Sequence, residues 1–272
     1  MTAKHLLVTT SYALILLNTQ DGSHQILDTG AGLYFGLALR DGKLWVAARR
    51  RMVSSGVPQT QENGEIRIFE GARHLMDRWQ APFPLRDLHQ IAWVGEDLWV
   101  TCCFDNLVAI RHPNGDWERW FPLGQPESEP FDRNHFNSLW VEGSRVCILA
   151  HNRDHPPSEL LFFDSRSRTL LDRLPLGDQA HNVWRVGDEY CTCSSREGRL
   201  IGHRGFFAVE TGGFPRGVAR IGDEWFIGIS QLAERDARDL TTGQIAVFDA
   251  NWREKRRIPL TNQGLILDLL PV

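Results

Sequence analysis

No stretch of this sequence approaches the 18 or so consecutive apolar residues that a membrane-spanning helix requires. The opening segment, MTAKHLLVTTSYALILLNTQDG, has one lysine and an apolar run broken by Thr, Ser and Tyr, which makes a poor signal peptide. A basic excess is missing as well: 30 Lys and Arg stand against 34 Asp and Glu, for a net charge of −4. Neither nucleic acid nor a membrane is therefore an expected partner. The five cysteines, Cys102, Cys103, Cys147, Cys191 and Cys193, are odd in number and contain no C-x-x-C spacing. Four of them lie in apolar, strand-like runs, the usual setting of reduced, buried thiols, and a cytoplasmic protein is the reading that follows. There is no Gly-rich phosphate loop, no G-x-S-x-G and no H-E-x-x-H. Helical periodicity is also wanting. The nearest segment, ISQLAERDARDLTTG, reads as a loop with one helical turn at most.

What the chain does have is a repeat. FGLALRDGKLWVAA, HQIAWVGEDLWVTC, NSLWVEGSRVCILA, HNVWRVGDEYCTCS and RGVARIGDEWFIGI align without gaps. Each is a short apolar run, a turn with Gly, and a second apolar run, which is the pattern of a β-hairpin. Their first residues, Phe35, His89, Asn137, His181 and Arg216, stand 54, 48, 44 and 35 residues apart. A second hairpin follows each of them, clearest in NLVAIRHPNGDWERWF. Four antiparallel strands at this spacing make a β-propeller blade. The C-terminal QGLILDLLPV matches an inner strand, whereas the N-terminal HLLVTTS matches a second strand. One blade is then closed by both termini, which protects its edges. The prediction is an all-β, six-bladed propeller over residues 1–272, with four antiparallel strands per blade. Ten Trp against three Tyr fit this fold, with Trp45, Trp93, Trp99, Trp140, Trp184 and Trp225 expected in the wedges between blades.

Inner strands line a central channel. The ring positions predicted from the alignment are Phe35, His89, Asn137, His181, Arg216 and Gln263, five of them polar. Strand alternation puts His135 on the same side as Asn137. Long loops, among them RRRMVSSGVPQTQENG and HNRDHPPSE, surround the face where the inner strands begin, and function tends to sit on such loops. His89, His181 and His135 are the candidates for acid–base work. Arg216 would hold a carboxylate or phosphate, and Asn137 and Gln263 would orient a substrate. Asp132 and Arg133 are further binding candidates or a loop-fixing pair, and Asp87, Asp105, Glu129 or Asp132 would orient a histidine. No motif specifies a cofactor. A divalent metal on His89, His135 and His181 is the one candidate. The six ring positions hold no carboxylate, which counts against a calcium-dependent lactonase of the gluconolactonase-like propellers.

Four segments, LHQIAWVGEDLWVT, FDRNHFNSLWV, AHNVWRVGDEY and GGFPRGVARIGDEWFIGIS, together resemble a family of uncharacterised bacterial conserved hypothetical proteins held to be six-bladed propellers. The resemblance runs from Leu88 to Ser230, and Asn134, Ser138, Asn182 and Val183 depart from the family pattern. It implies that His89, His135, Asn137, His181 and Arg216 are motif positions, and it carries no activity with it. Two functional readings follow. One is an enzyme, a non-redox lyase, isomerase, cyclase or hydrolase, acting on a small polar or anionic metabolite at the channel mouth. The other is a non-catalytic propeller that holds a protein or ligand, with the rim as the surface for a protein partner.

Overall fold

The computed structural model describes residues 4–124, 131–153, 155–231, 239 and 241–272. They form six four-stranded antiparallel sheets arranged in a ring, a six-bladed β-propeller. Blade one takes its inner strand, Ile266–Pro271, from the C-terminus and continues with His5–Thr10, Ala13–Asn18 and His24–Thr29. Blade two runs Tyr34–Arg40, Lys43–Ala48, Glu65–Glu70 and His74–Trp79. Blade three runs Leu88–Val94, Asp97–Cys102, Leu107–Arg111 and Trp117–Trp120. Blade four comprises Phe136–Glu142, Arg145–Ala150, Glu159–Asp164 and Leu170–Pro175. Blade five comprises Ala180–Val186, Glu189–Ser194, Arg199–Gly202 and Ala208–Glu210, and blade six Phe214–Ile221, Glu224–Ser230, Gly243–Phe248 and Glu254–Leu260. Among the described residues the only helical element is a 3₁₀ turn at Gln59–Gln61. Most of ISQLAERDARDLTTG, and Glu129 with it, lies outside the described residues.

Turn chemistry explains the constant register of the inner hairpins. Asp41 and Gly42 both have positive φ, 49° and 73°, as a type I′ turn requires. The other four hairpins place Gly95, Gly143, Gly187 or Gly222 first in a two-residue turn, with φ between 58° and 60°, as type II′ demands. Second strands such as KLWVAA and RVCILA are buried along nearly their whole length, because neighbouring blades cover both faces. Outer strands such as HLMDRW face solvent.

The hydrophobic core is divided accordingly into six apolar clusters, one in the wedge between each pair of neighbouring blades. Tryptophans occupy these wedges as expected. Trp45 of blade two meets Trp93 of blade three edge-on with ring centroids 5.0 Å apart. Trp184 of blade five meets Trp225 of blade six at 6.5 Å. The indole N–H groups of Trp45, Trp93, Trp99 and Trp184 are buried without a hydrogen-bond partner among the described residues, so these side chains stabilise through the packing of their rings and not through the N–H.

Each of the six inner strands carries a β-bulge at the same place. The bulged pairs are Phe35–Gly36, His89–Gln90, Asn137–Ser138, His181–Asn182, Arg216–Gly217 and Leu267–Asp268. A bulge re-aims one side chain and leaves backbone groups unpaired in the ladder. Here the second residue of the pair commonly ties one inner strand to another. Asn182 Oδ1 accepts from Gly217 N (2.7 Å), Ser138 Oγ from Asn182 N (2.9 Å), and Asp268 Oδ2 from Leu37 N (3.0 Å). Gly36 and Gly217 are small because inner strands approach them closely: a Cβ on Gly36 would lie 2.5 Å from Ile91 N. With no side chain at Gly36, Gln90 Nε2 donates to Asp268 Oδ2 (2.9 Å) two blades away.

Candidate functional site

The first residue of each bulged pair meets at the axis. Phe35, His89, Asn137, His181, Arg216 and Leu267 line one narrow passage, with room for about one water molecule at this level. The sixth member corrects the alignment, which placed Gln263 there. Gly264 has φ 78° and packs on Ser11 and Asp239, so Gln263 sits in the loop before the strand, and the bulge falls four residues later. The ring therefore has four polar members and two apolar ones. None of the six carries a carboxylate, but one stands beside the ring. Asp268 is buried, and burial pushes its carboxyl up to about 6 against the hydrogen bonds it accepts.

A second tier lies just above, formed by residues that directly follow the second strands: Ser11, Arg49, Cys103, His151 and Ser195. It gives each ring histidine its partner. His181 Nδ1 lies 2.8 Å from Ser195 Oγ, which itself donates to Pro215 O (2.7 Å). The hydroxyl proton is thus engaged, and the ring proton of His181 sits on Nδ1. Its Nε2 then accepts from the Arg216 guanidinium. His89 Nδ1 lies 2.9 Å from Asp87 O, 3.4 Å from Asp87 Oδ1 and 3.1 Å from Cys103 Sγ. The Cys103 thiol donates to Phe136 O at 3.0 Å.

His135 does not follow the alternation argument. Its φ is 50°, it lies outside the strand, and the bulge at Asn137 breaks the period. It nonetheless reaches the axis, with its ring centroid 4.9 Å from that of His89. Its Nδ1 lies 2.7 Å from Asp132 Oδ2, and Arg153 pairs with the same oxygen at 2.6 Å. Asp132 is therefore fixed by Arg153 rather than by Arg133, which is exposed. His151 completes the series at 4.7 Å from His135 and 5.5 Å from His181. Four imidazoles in a row then run from Phe35 on one side to Phe214 on the other. Nothing in the sequence singled out His151; its signal is its position, immediately after a second strand, which it shares with Arg49, Cys103 and Ser195.

The charges are arranged asymmetrically. On one side Arg49 forms a bidentate pair with Glu62 (2.8 and 2.6 Å) and a third contact with Asp87 (2.6 Å), all three buried. Burial acts to raise Asp87, but Arg49, the neighbouring imidazoles and Arg153 outweigh it and hold the carboxyl below the usual range. Across the axis, Arg216 is half-buried over the Phe35 ring and ion-paired with no carboxylate among the described residues. Burial lowers it to about 10. Three of the imidazoles are held neutral: burial lowers His151 to about 2 and takes His89 and His181 well below the ordinary histidine value, with Arg216 adding to the effect. Burial raises the Cys103 thiol, as do Asp87 and Asp132.

Of the other sequence candidates, Asn137 bridges blades four and five through its amide N–H to Ala180 O (2.8 Å). Asp105 pairs with Arg86 (2.8 Å) and orients no histidine. His89, His135 and His181 do share the channel, but as a metal set they divide. Donor atoms of His89, Cys103 and His135 lie within 4.8 Å of one another, as do those of Asp87, Asp132 and His135. His181 belongs to Ser195 and Arg216 instead.

No family model matches the chain, and no curated protein does. Solved structures do. A protein of unknown function from Bacteroides caccae superposes with a TM-score of 0.69 at 12% identity, covering 100% of this chain and 99% of that one. A chain of a nidogen/laminin complex gives 0.66 at 14% identity, with 97% of each chain covered. A functionally unknown protein from Desulfotomaculum acetoxidans gives 0.59 at 10% identity, covering 100% and 87%. At these identities the likeness is one of fold, and the chain shares the six-bladed propeller architecture with them.

Proposed function

We propose that this propeller is an enzyme acting on a small polar or anionic metabolite at the channel mouth, by acid–base chemistry without a redox step. A lyase, isomerase, cyclase or hydrolase fits that description. One observation carries the reading. His89 and His135 are neighbouring imidazoles, each tied through Nδ1 to an aspartate, each with Nε2 free of any protein partner among the described residues, and they share the channel with an arginine that lacks a carboxylate. An Nδ1–H held by an aspartate fixes tautomer and orientation and leaves Nε2 as the base. Arg216 then binds the substrate's anionic group, and His181, backed by Ser195, holds the guanidinium in place. The passage admits about one water at the ring, so only the reacting end of the substrate reaches it and the remainder lies among the mouth loops. The motif resemblance to the uncharacterised bacterial family, which falls on the same residues, is part of this reading. So is a cytoplasmic setting, given five buried and unpaired cysteines. Among the described residues no helix is long and apolar enough to cross a membrane.

The scaffold alternative has less support. Among the large exposed apolar side chains, Ile26, Met76, Leu171 and Phe206 lie on or beside the outer strands of four different blades, and Tyr12, Val57 and Phe131 lie on three separate loops. The test is incubation of the protein with pooled carboxylated and phosphorylated metabolites, followed by proton NMR. Consumption of one compound, lost in His135→Gln and Arg216→Gln, is the expected result. No consumption of any compound and equal behaviour of the variants would return the protein to the scaffold reading.

A further inference from the structure

We infer that the wall of the channel formed by blades three and four is a binding site for one divalent transition metal of the zinc type, with His89, His135 and Cys103 as its protein ligands. The donor atoms already lie within 4.8 Å of one another without a metal, a separation that a small inward movement converts into a coordination shell. Two imidazoles and a sulfur suit a borderline cation and not calcium or magnesium, which take oxygen ligands. Around them stand the features that accompany metal-binding histidines. Asp132 Oδ2 holds His135 Nδ1 at 2.7 Å, and Asp87 O holds His89 Nδ1 at 2.9 Å. Arg49 and Arg153 in turn fix those two aspartates.

Buried polar atoms nearby point the same way. Asp132 Oδ1 and His151 Nδ1 are both buried without a hydrogen bond among the described residues, and unsatisfied buried atoms are rare unless something completes them. His151, whose residue is 9% exposed, stands 4.7 Å from His135 and is placed to supply a fourth ligand or to bond a metal-bound water. A second cluster, Asp87, Asp132 and His135, shares the site, but its carboxylates are already engaged by Arg49 and Arg153, whereas the Nε2 atoms of His89 and His135 have no protein partner among the described residues. Binding converts the Cys103 thiol to a thiolate: the S–H proton, now donated to Phe136 O, leaves to solvent and a sulfur–metal bond replaces it. This inference rests on the proposed axial site and deepens it, since a metal-bound water would then serve as the base in place of a free imidazole.

The experiment is a titration of chelator-stripped, full-length protein with Co²⁺ and then Zn²⁺, in the absence of metabolites. One equivalent of Co²⁺ is expected, with visible bands of a tetrahedral centre, a near-ultraviolet thiolate-to-cobalt charge-transfer band and one proton released at binding; Zn²⁺ then displaces it. Cys103→Ser loses the charge-transfer band, His135→Gln loses binding at least tenfold, and Asp132→Asn weakens it about 10–100-fold. Cys147→Ser, between blades four and five, keeps the band, and circular dichroism confirms that each variant is folded. Arg216→Gln keeps the metal while losing the metabolite, so the metal inference and the proposed enzyme fail separately. Absence of stoichiometric Co²⁺ binding would overturn the inference. Survival of the charge-transfer band in Cys103→Ser would overturn it too, as would Mn²⁺ binding that ignores Cys103→Ser and so belongs to the carboxylates.

Discussion

Arg49 is a single buried guanidinium between two buried carboxylates, and its removal is the most severe perturbation that the channel mouth offers. The Glu62 side chain is 0% exposed and that of Asp87 is 3% exposed. Glu62 Oε1 also accepts from Asp87 N (2.7 Å), so this cluster clips the loop carrying Gln59–Gln61 onto the start of the blade-three inner strand. Arg49→Met keeps much of the side-chain volume but leaves both carboxylates uncompensated. Breaking one partner of a buried pair costs about 3–5 kcal/mol. In a domain of this size each kcal/mol lowers the melting temperature by about 2–4 °C, so a fall of about 6–20 °C is expected. The pH dependence gives a sharper check. In the wild type the Asp87 carboxyl is held below its unfolded value, so its contribution is present above the unfolded pKa, near 3.9, and is lost only as pH falls below that. In the variant burial prevails, and the carboxyls of Asp87 and Glu62 titrate above their unfolded values. Relative to wild type the variant therefore gains as pH falls from 7 towards 5, and the gap between the two narrows. Urea unfolding at several pH values measures this. A loss below about 1 kcal/mol, or a gap that widens on acidification, would refute the buried-cluster argument.

Other expectations are equally specific. Because burial depresses His89, His151 and His181, the unfolded chain binds protons that the folded one refuses; stability should fall as pH drops below about 6.5, by up to about 1.4 kcal/mol per pH unit for each imidazole. Flat stability between pH 6.5 and 5 would show that these rings are charged in the native state. Gly217→Ala forces a Cβ to 3.0 Å from Leu269 Cγ at φ 82° and should cost about 1–3 kcal/mol in urea unfolding, whereas Gly143→Ala, with nothing within 4 Å, should show the cost of its φ alone. Ser195→Ala leaves His181 Nδ1 without its partner and should destabilise by about 1–3 kcal/mol, an effect absent from the exposed Ser167→Ala. All five thiols should resist alkylation in the native protein and react together on unfolding; a fast-reacting thiol in native buffer would contradict their burial.

The fold was legible because it rests on local rules. Two-residue turns with Gly and two strands of fixed length recur without gaps, and the split between the termini left one blade needing both ends. The ring was read less well, for a local reason as well. QGLILDLLPV was aligned on its Gln-Gly pair with Phe35–Gly36, but Gly264 serves a loop turn, and the bulge that re-aims a side chain falls at Leu267–Asp268. A bulge is invisible to period-two reasoning, and six of them set which side chains enter the channel. The second tier was missed because Arg49, Cys103, His151 and Ser195 come from different loops and share only their position after a second strand. His151 meets His135 through the closure of blade four and not through sequence spacing.

The central claim is that Arg216 and the imidazoles form an anion-binding site on the axis. The most direct measurement is a thermal-shift titration of wild type and Arg216→Gln with carboxylated and phosphorylated metabolites. A ligand at 100 times its dissociation constant adds about 2.7 kcal/mol, which raises the melting temperature by about 5–10 °C. The account predicts such a shift for wild type and its loss in Arg216→Gln, which circular dichroism shows to be folded. A shift of equal size in both proteins would place the ligand elsewhere, and no shift with any anion would leave the ring as a hydrated channel lining.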